Sequence, residues 1–114
     1  MKKNLFIFSL VLGFSMSAQK AIYTDLDGDG VIEYVLEDNN GDALETGFYY
    51  LQKKVKTWVS YYPDGNKQVV GIFKNGLRHG KWLMYNEKGL VIFEISYKNG
   101  KKVSASQHSY ASNN

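Results

Sequence analysis

A chain of 114 residues with no cysteine and a formal net charge of +3 has room for one domain. The missing cysteine excludes disulfides, thiolate metal sites, cysteine nucleophiles and a lipid-modified N-terminal cysteine. The net charge hides a segregation. Ala21 to Glu45 holds eight acidic residues and no Lys or Arg, while Lys53 to Lys102 holds eleven basic residues against Asp64, Glu87 and Glu94. Such asymmetry points to interaction surfaces, including surfaces for each other.

Residues 1–18 read as a secretory signal peptide. Lys2 and Lys3 supply the positive start, Leu5 to Phe14 the apolar stretch, and Ser15, Ser17 and Ala18 the small residues of a cleavage site at or near Ala18. The apolar run is too short to span a bilayer comfortably. The expectation is an exported protein of the periplasm, cell envelope or extracellular space, not transmembrane once the signal is cut.

Residues 19–46 form a short acidic β segment, with Val31 to Leu36 as its clearest strand. The run Asp25-Leu26-Asp27-Gly28-Asp29-Gly30-Val31-Ile32-Glu33 sets carboxylates at alternate positions around a glycine turn. Asp25, Asp27, Asp29, the Val31 carbonyl and Glu33 are therefore candidate calcium ligands, because a hard cation takes oxygen donors at this spacing. Leu36 stands where an EF-hand has its last glutamate, and flanking helices are missing. The closer likeness is to short calcium loops between β-strands, similar to those of exported FG-GAP-like repeats. The alternative is a solvated acidic turn that needs no metal. Asp38-Asn39-Asn40-Gly41-Asp42 reads as a hairpin turn.

Residues 47–103 repeat at a step of 24. Trp58 falls on Trp82, Tyr61 on Tyr85, Gly65 on Gly89 and Gly47 on Gly71. Phe73-Lys74-Asn75-Gly76 falls on Tyr97-Lys98-Asn99-Gly100. Strand formers occupy 56–62, 69–74, 81–85 and 90–98. Pro63-Asp64-Gly65, Asn75-Gly76, Lys88-Gly89 and Asn99-Gly100 separate them. Asn-Gly is a strong hairpin signal because both residues accept positive φ. Connections this short predict an antiparallel meander. Period-two alternation puts Trp58 and Trp82 on one face and Val59, Tyr61, Leu83 and Tyr85 on the other. The apolar face of a single sheet needs covering, by the acidic segment or by a partner. Residues 104–114, which include His108, carry no pattern and read as a disordered tail.

The run from Gly71 to Gly89, with its aromatic-Lys-Asn-Gly, Gly80-Lys81-Trp82 and Tyr85 followed by a glycine turn, resembles the MORN repeat in its bacterial variant form. Proteins of this kind are often grouped as YwqK-like antitoxins. The resemblance covers Gly47 to Val103. Leu51-Gln52 replaces Asn-Gly in the first unit, and Lys56 replaces the glycine before Trp58. The resemblance implies an all-β antiparallel meander of MORN-like β-hairpin repeats and a binding or scaffolding role.

For function, Trp58, Trp82, Tyr61, Tyr85, Lys81 and Arg78 form the candidate binding face. Aromatic and basic residues interleaved in this way suit a protein partner, a glycan or an anionic lipid. Export argues against nucleic acid. No catalytic constellation assembles: there are two histidines, no Gly-x-Ser-x-Gly elbow, and a Gly76–Lys81 run too short for a phosphate loop. The expected function is a non-enzymatic, exported interaction protein, with calcium as a possible ligand of the acidic loop. The alternatives are a toxin-neutralising protein, whose toxin would have to act outside the cytoplasm, and a glycan- or anionic-lipid-binding module.

Overall fold

Turns of a few residues leave a β-strand little choice but to pair with its neighbour in sequence. The computed structural model follows that rule throughout its described residues. It describes the backbone of residues 6–11 and 18–109 and the side chains of residues 18–109. The strands are β1 (Phe6–Val11), β2 (Ala18–Asp25), β3 (Val31–Glu37), β4 (Ala43–Tyr50), β5 (Lys53–Tyr61), β6 (Lys67–Lys74), β7 (Leu77–Tyr85), β8 (Val91–Lys98) and β9 (Lys101–Gln107). They form one antiparallel sheet in simple sequence order, the expected all-β meander. No helix of the described residues is long and apolar enough to cross a membrane.

The 24-residue step is visible in the backbone. At one end of the sheet, Asn75-Gly76 and Asn99-Gly100 turn with φ near 51 and 82–83°. Leu51-Gln52 makes the same turn at φ 50 and 66° without glycine. At the other end, Gly41, Gly65 and Gly89 take φ of 83, 92 and 85°. Gly41 extends the repeat into the acidic segment, where composition concealed it. That segment therefore belongs to the same ladder as residues 47–103. It lengthens the sheet edge to edge and does not lie over the apolar face.

Two further expectations change. Residues 104–107 are not a disordered tail. They complete β9, where Ser106 pairs with Glu94 and Ala105 with Ile95. Beyond β9, the His108 amide donates to the Ile92 carbonyl at 2.8 Å. The free edge of β8 offers backbone partners that need no side-chain pattern, so composition gave no warning. Of the predicted leader, β1 and Ala18 are described. β1 pairs with β2 from Phe6↔Tyr23 to Val11↔Ala18. The rest of the leader and residues 110–114 lie outside the described residues.

Among the described residues the sheet has no second layer, and its core is made by rings lying on its own surface. Of the described side chains, only the apolar Ala21, Tyr34, Trp58 and Trp82 are buried. Cross-strand register puts Tyr34 opposite Gly47, Trp58 opposite Gly71 and Trp82 opposite Ile95. Each tryptophan lies back over the strand before it. A Cβ placed on Gly47 would sit inside the Trp58 indole, and one on Gly71 inside the Trp82 indole. Glycine is needed there for space, since neither residue has positive φ.

The tryptophans reach this position through bulges. Between Val55 and Val59, three residues of β5 face the single residue Gly47. Between His79 and Leu83, three residues of β7 face Gly71. Lys56 (φ 61°) and Gly80 (φ 70°) provide the left-handed backbone that each bulge requires. This explains why Gly80 precedes Lys81-Trp82, and why Lys56 is tolerated at the equivalent position at some conformational cost.

Candidate binding face

The register gathers one ring from nearly every strand onto one face. Successive contacts run Tyr23–Tyr34 (5.2 Å between centroids), Tyr34–Trp58 (5.3 Å), Trp58–Phe73 (5.8 Å), Phe73–Trp82 (5.1 Å) and Trp82–Tyr97 (5.9 Å). Tyr49 joins the row at 5.2 Å from Trp58. Most of these contacts are tilted or edge-on, the geometry in which the positive rim of one ring meets the negative face of the next. The indole N–H groups are satisfied by backbone: Trp58 donates to the Phe48 and Val55 carbonyls at 3.2 and 3.1 Å, and Trp82 to the Ile72 carbonyl at 3.2 Å.

Each tryptophan also has a cation above it. Lys54 Nζ lies 4.5 Å from the Trp58 centroid and 5.1 Å from that of Phe73. Arg78 lies 5.5 Å from both Trp82 and Tyr97. Lys54 and Arg78 are one repeat apart, so the glycine, indole and cation recur as a unit. At the acidic end of the row, the Glu45 carboxylate lies close enough to the Tyr34 phenol to act on it electrostatically. Burial raises the Tyr34 phenol well above the ordinary tyrosine range, and the Glu45 charge adds to the effect. Tyr49 is raised as well, first by burial and then by Tyr23 and Glu45.

The structure divides the residues singled out from sequence. Trp58, Trp82 and Arg78 share the aromatic face. Lys81 is on the opposite face, 3.8 Å from Glu94, a residue that also lies 3.7 Å from His108. Alternation from Val59 and Leu83 puts Tyr61 and Tyr85 on that opposite face too. The two tryptophans are only 4 and 8 % exposed, so they support the surface rather than present it. Tyr49, Lys54, Phe73 and Tyr97 are partly exposed on the face, and Arg78 is exposed. Lys54 escaped the sequence reading, although the 24-residue step from Arg78 points to it. A shallow groove of about 160 Å³ runs between Glu45, Lys54, Phe73, Arg78 and the edges of the two indoles.

The acidic loop is ordered by its own backbone. The Gly28 amide donates to Asp25 Oδ1 at 2.8 Å and the Val31 amide to Asp29 Oδ1 at 2.9 Å. Asp27 and Asp29 are exposed, Val31 pairs with Tyr50, and Glu33 pairs with Thr24 and Phe48. Among the described residues no three acidic or histidine side chains are grouped closely enough to hold a metal ion. The second acidic turn is the predicted hairpin: the Asp38 amide donates to the Asp42 carbonyl, and Asp38 Oδ1 accepts from the Asn40 and Asp42 amides. Asn86 makes the equivalent bonds to Lys88 and Leu90 two repeats later. No protein-family model, curated protein or solved structure matches this chain.

Proposed function

We propose that the protein is an exported, non-catalytic binding module of MORN-like build whose ligand is another protein docked across the aromatic face. The observation that carries this reading is a continuous row of rings with no second layer over it among the described residues. A sheet normally buries its apolar face against another element, and exposed apolar patches of this kind mark interaction sites. The groove is smaller than the roughly 300–1,000 Å³ of small-molecule pockets, which favours a partner that lies across the surface. Tyrosine, phenylalanine and arginine are the side chains that such interfaces concentrate. The MORN-like part of the proposal rests on the Gly71–Gly89 run and the 24-residue recurrence.

A photoreactive phenylalanine analogue incorporated at Tyr97 or at Ile72 in the exporting cell tests the proposal. Ile72 is 43 % exposed and its register with Thr57 and His79 puts it on the opposite face. A discrete adduct from Tyr97 and none from Ile72 is the expected result. Adducts from Ile72 alone would overturn it.

Lys54 and Arg78, poised over rings, favour a second reading in which the face binds an anionic glycan or lipid headgroup. Binding to anionic vesicles that disappears between low and high salt supports that reading, because such attraction is screened within a Debye length. Calcium at the Asp25–Glu33 loop is a further proposal. It rests on the oxygen-donor pattern and on the exposure of Asp27 and Asp29.

A further inference from the structure

We infer that removal of the leader exposes an edge of β2 that accepts β9 of a second copy, so that the exported chains associate head to tail through one continued sheet. The inference rests on the proposal that residues 1–18 are cut away, since β1 holds the β2 edge in the uncut chain.

The repeat itself defines the fit. Strands β3, β5, β7 and β9 are equivalent under the 24-residue step, and so are β2, β4, β6 and β8. A strand of the first kind is always followed by one of the second. Among the described residues the sheet ends in β9, of the first kind, and without β1 it begins in β2, of the second. The two ends are thus complementary, as the faces of any heterologous, non-closing contact must be.

The register follows. Across the interior hairpins Glu33 pairs with Phe48, Thr57 with Ile72 and Lys81 with Ser96. The next pair in the series is Ala105 with the residue equivalent to Phe48 one repeat earlier, which is Thr24 of the neighbouring copy. The same step sets Ser104 opposite Asp25.

Charge agrees with this register. It brings Lys101 and Lys102, exposed on β9, beside the Asp25–Gly30 loop, where Asp27 and Asp29 are also exposed. The basic end of one copy meets the acidic end of the next, which gives the charge segregation of the sequence a role. Opposite charges across an interface steer encounter and fix register.

The loop is also capped differently from the interior turns. In interior turns the glycine amide donates to a carbonyl of the strand before: Gly76 to Lys54 at 2.8 Å and Gly100 to Arg78 at 3.0 Å. At the equivalent Gly28 the acceptor is the side chain of Asp25. The carboxylate stands in for a carbonyl that an adjoining β9 would supply.

The test uses the full chain, expressed with its leader and collected after export. Because the protein has no cysteine, Thr24→Cys and Ala105→Cys can be introduced on separate chains, mixed and mildly oxidised. Facing Cα atoms of antiparallel strands are roughly 4.5–5.5 Å apart, within disulfide range. A mixed disulfide should form, and a chain carrying both cysteines should give a ladder of linear oligomers. Gln68→Cys, exposed on interior strand β6, should not couple to Thr24→Cys. Lys101→Glu with Lys102→Glu should cut the yield roughly tenfold at low salt, as two attractions turn repulsive.

The N-terminal mass of the exported chain separates the two readings. Loss of the leader without the mixed disulfide overturns head-to-tail pairing alone, as does preferred coupling of Ala105→Cys to itself. Retention of residues 1–18 overturns the leader reading and, with it, the free β2 edge.

Discussion

Gly71→Ala adds one methyl group, yet the structure requires it to be severely destabilising. The backbone at Gly71 lacks positive φ, so alanine is conformationally acceptable there and even favoured by about 0.5–1 kcal/mol over glycine in a strand. Sterics reverse the sign, because the new Cβ falls within the Trp82 indole. The ring must lift off the sheet. It then loses its hydrogen bond to Ile72, about 0.5–1.5 kcal/mol, and its edge contacts with Phe73 and Tyr97, about 0.5–1.5 kcal/mol each. These losses, about 3 kcal/mol together, less the backbone gain give a cost of about 2 kcal/mol, short of the roughly 3–5 kcal/mol for deleting a buried tryptophan. At about 4–8 °C per kcal/mol for a domain of this size, the melting temperature should fall by roughly 8–16 °C. Urea unfolding of Gly71→Ala, Trp82→Ala and the double variant isolates the cause. With the indole gone, alanine at 71 should be neutral or slightly stabilising, leaving a coupling of about 3 kcal/mol between the sites. An equal cost of Gly71→Ala in both backgrounds would refute the steric account.

Two further predictions concern titration and metal. The Tyr34 and Tyr49 phenols are raised chiefly by burial, whereas an unfolded tyrosine ionises near pH 10. Their contribution to stability is therefore intact below about pH 10 and declines as the pH rises past it, because the unfolded chain gives up these protons first. Melting temperatures from pH 8 to 11.5 should show this decline, more shallowly in Tyr34→Phe, and parallel curves would remove Tyr34 as its source. For calcium, the proposal expects a higher melting temperature in millimolar calcium than in EDTA, with the difference abolished by Asp27→Asn together with Asp29→Asn. Identical melting temperatures in calcium and EDTA would leave Asp25 and Asp29 with the backbone-capping role seen at Gly28 and Val31.

The recurrence of Trp58 on Trp82 and of Gly47 on Gly71 made β5 to β8, their turns and their meander order legible before any coordinates. Their partnership was not legible, because alternation tells which face a ring takes and not that a bulge sends it over the preceding strand. The acidic segment concealed its membership for a different reason. Tyr34 stands in place of the tryptophan and Tyr23 in place of the glycine beneath it, so only the turn glycines Gly28 and Gly41 kept the mark of the repeat. At the other end the pattern stops for a physical reason. Ile95 occupies the position of Gly47 and Gly71, and Ser106 that of the tryptophans, so no ring lies over β8 from the last strand. An indole at 106 would require a glycine at 95, and the chain lacks both.

The candidate face was half legible for the same cause. Aromatic and basic composition brought Tyr61, Tyr85 and Lys81 together with Trp58, Trp82 and Arg78, but pleating separates them. The glycine shelves also change what the tryptophans are for. A single-layer sheet has no opposing layer to bury its large rings, so it lays them flat against its own backbone. There they take the place of a core, while Tyr49, Phe73, Tyr97 and the two cations make up the accessible part of the proposed binding face. Loss of binding in Trp58→Ala or Trp82→Ala would therefore be no sign of direct contact, because those variants remove the floor beneath the face. Lys54→Gln and Arg78→Gln leave that floor in place. A weakening of binding in these two variants, at unchanged melting temperature, is the result that would assign the contact to the surface groups.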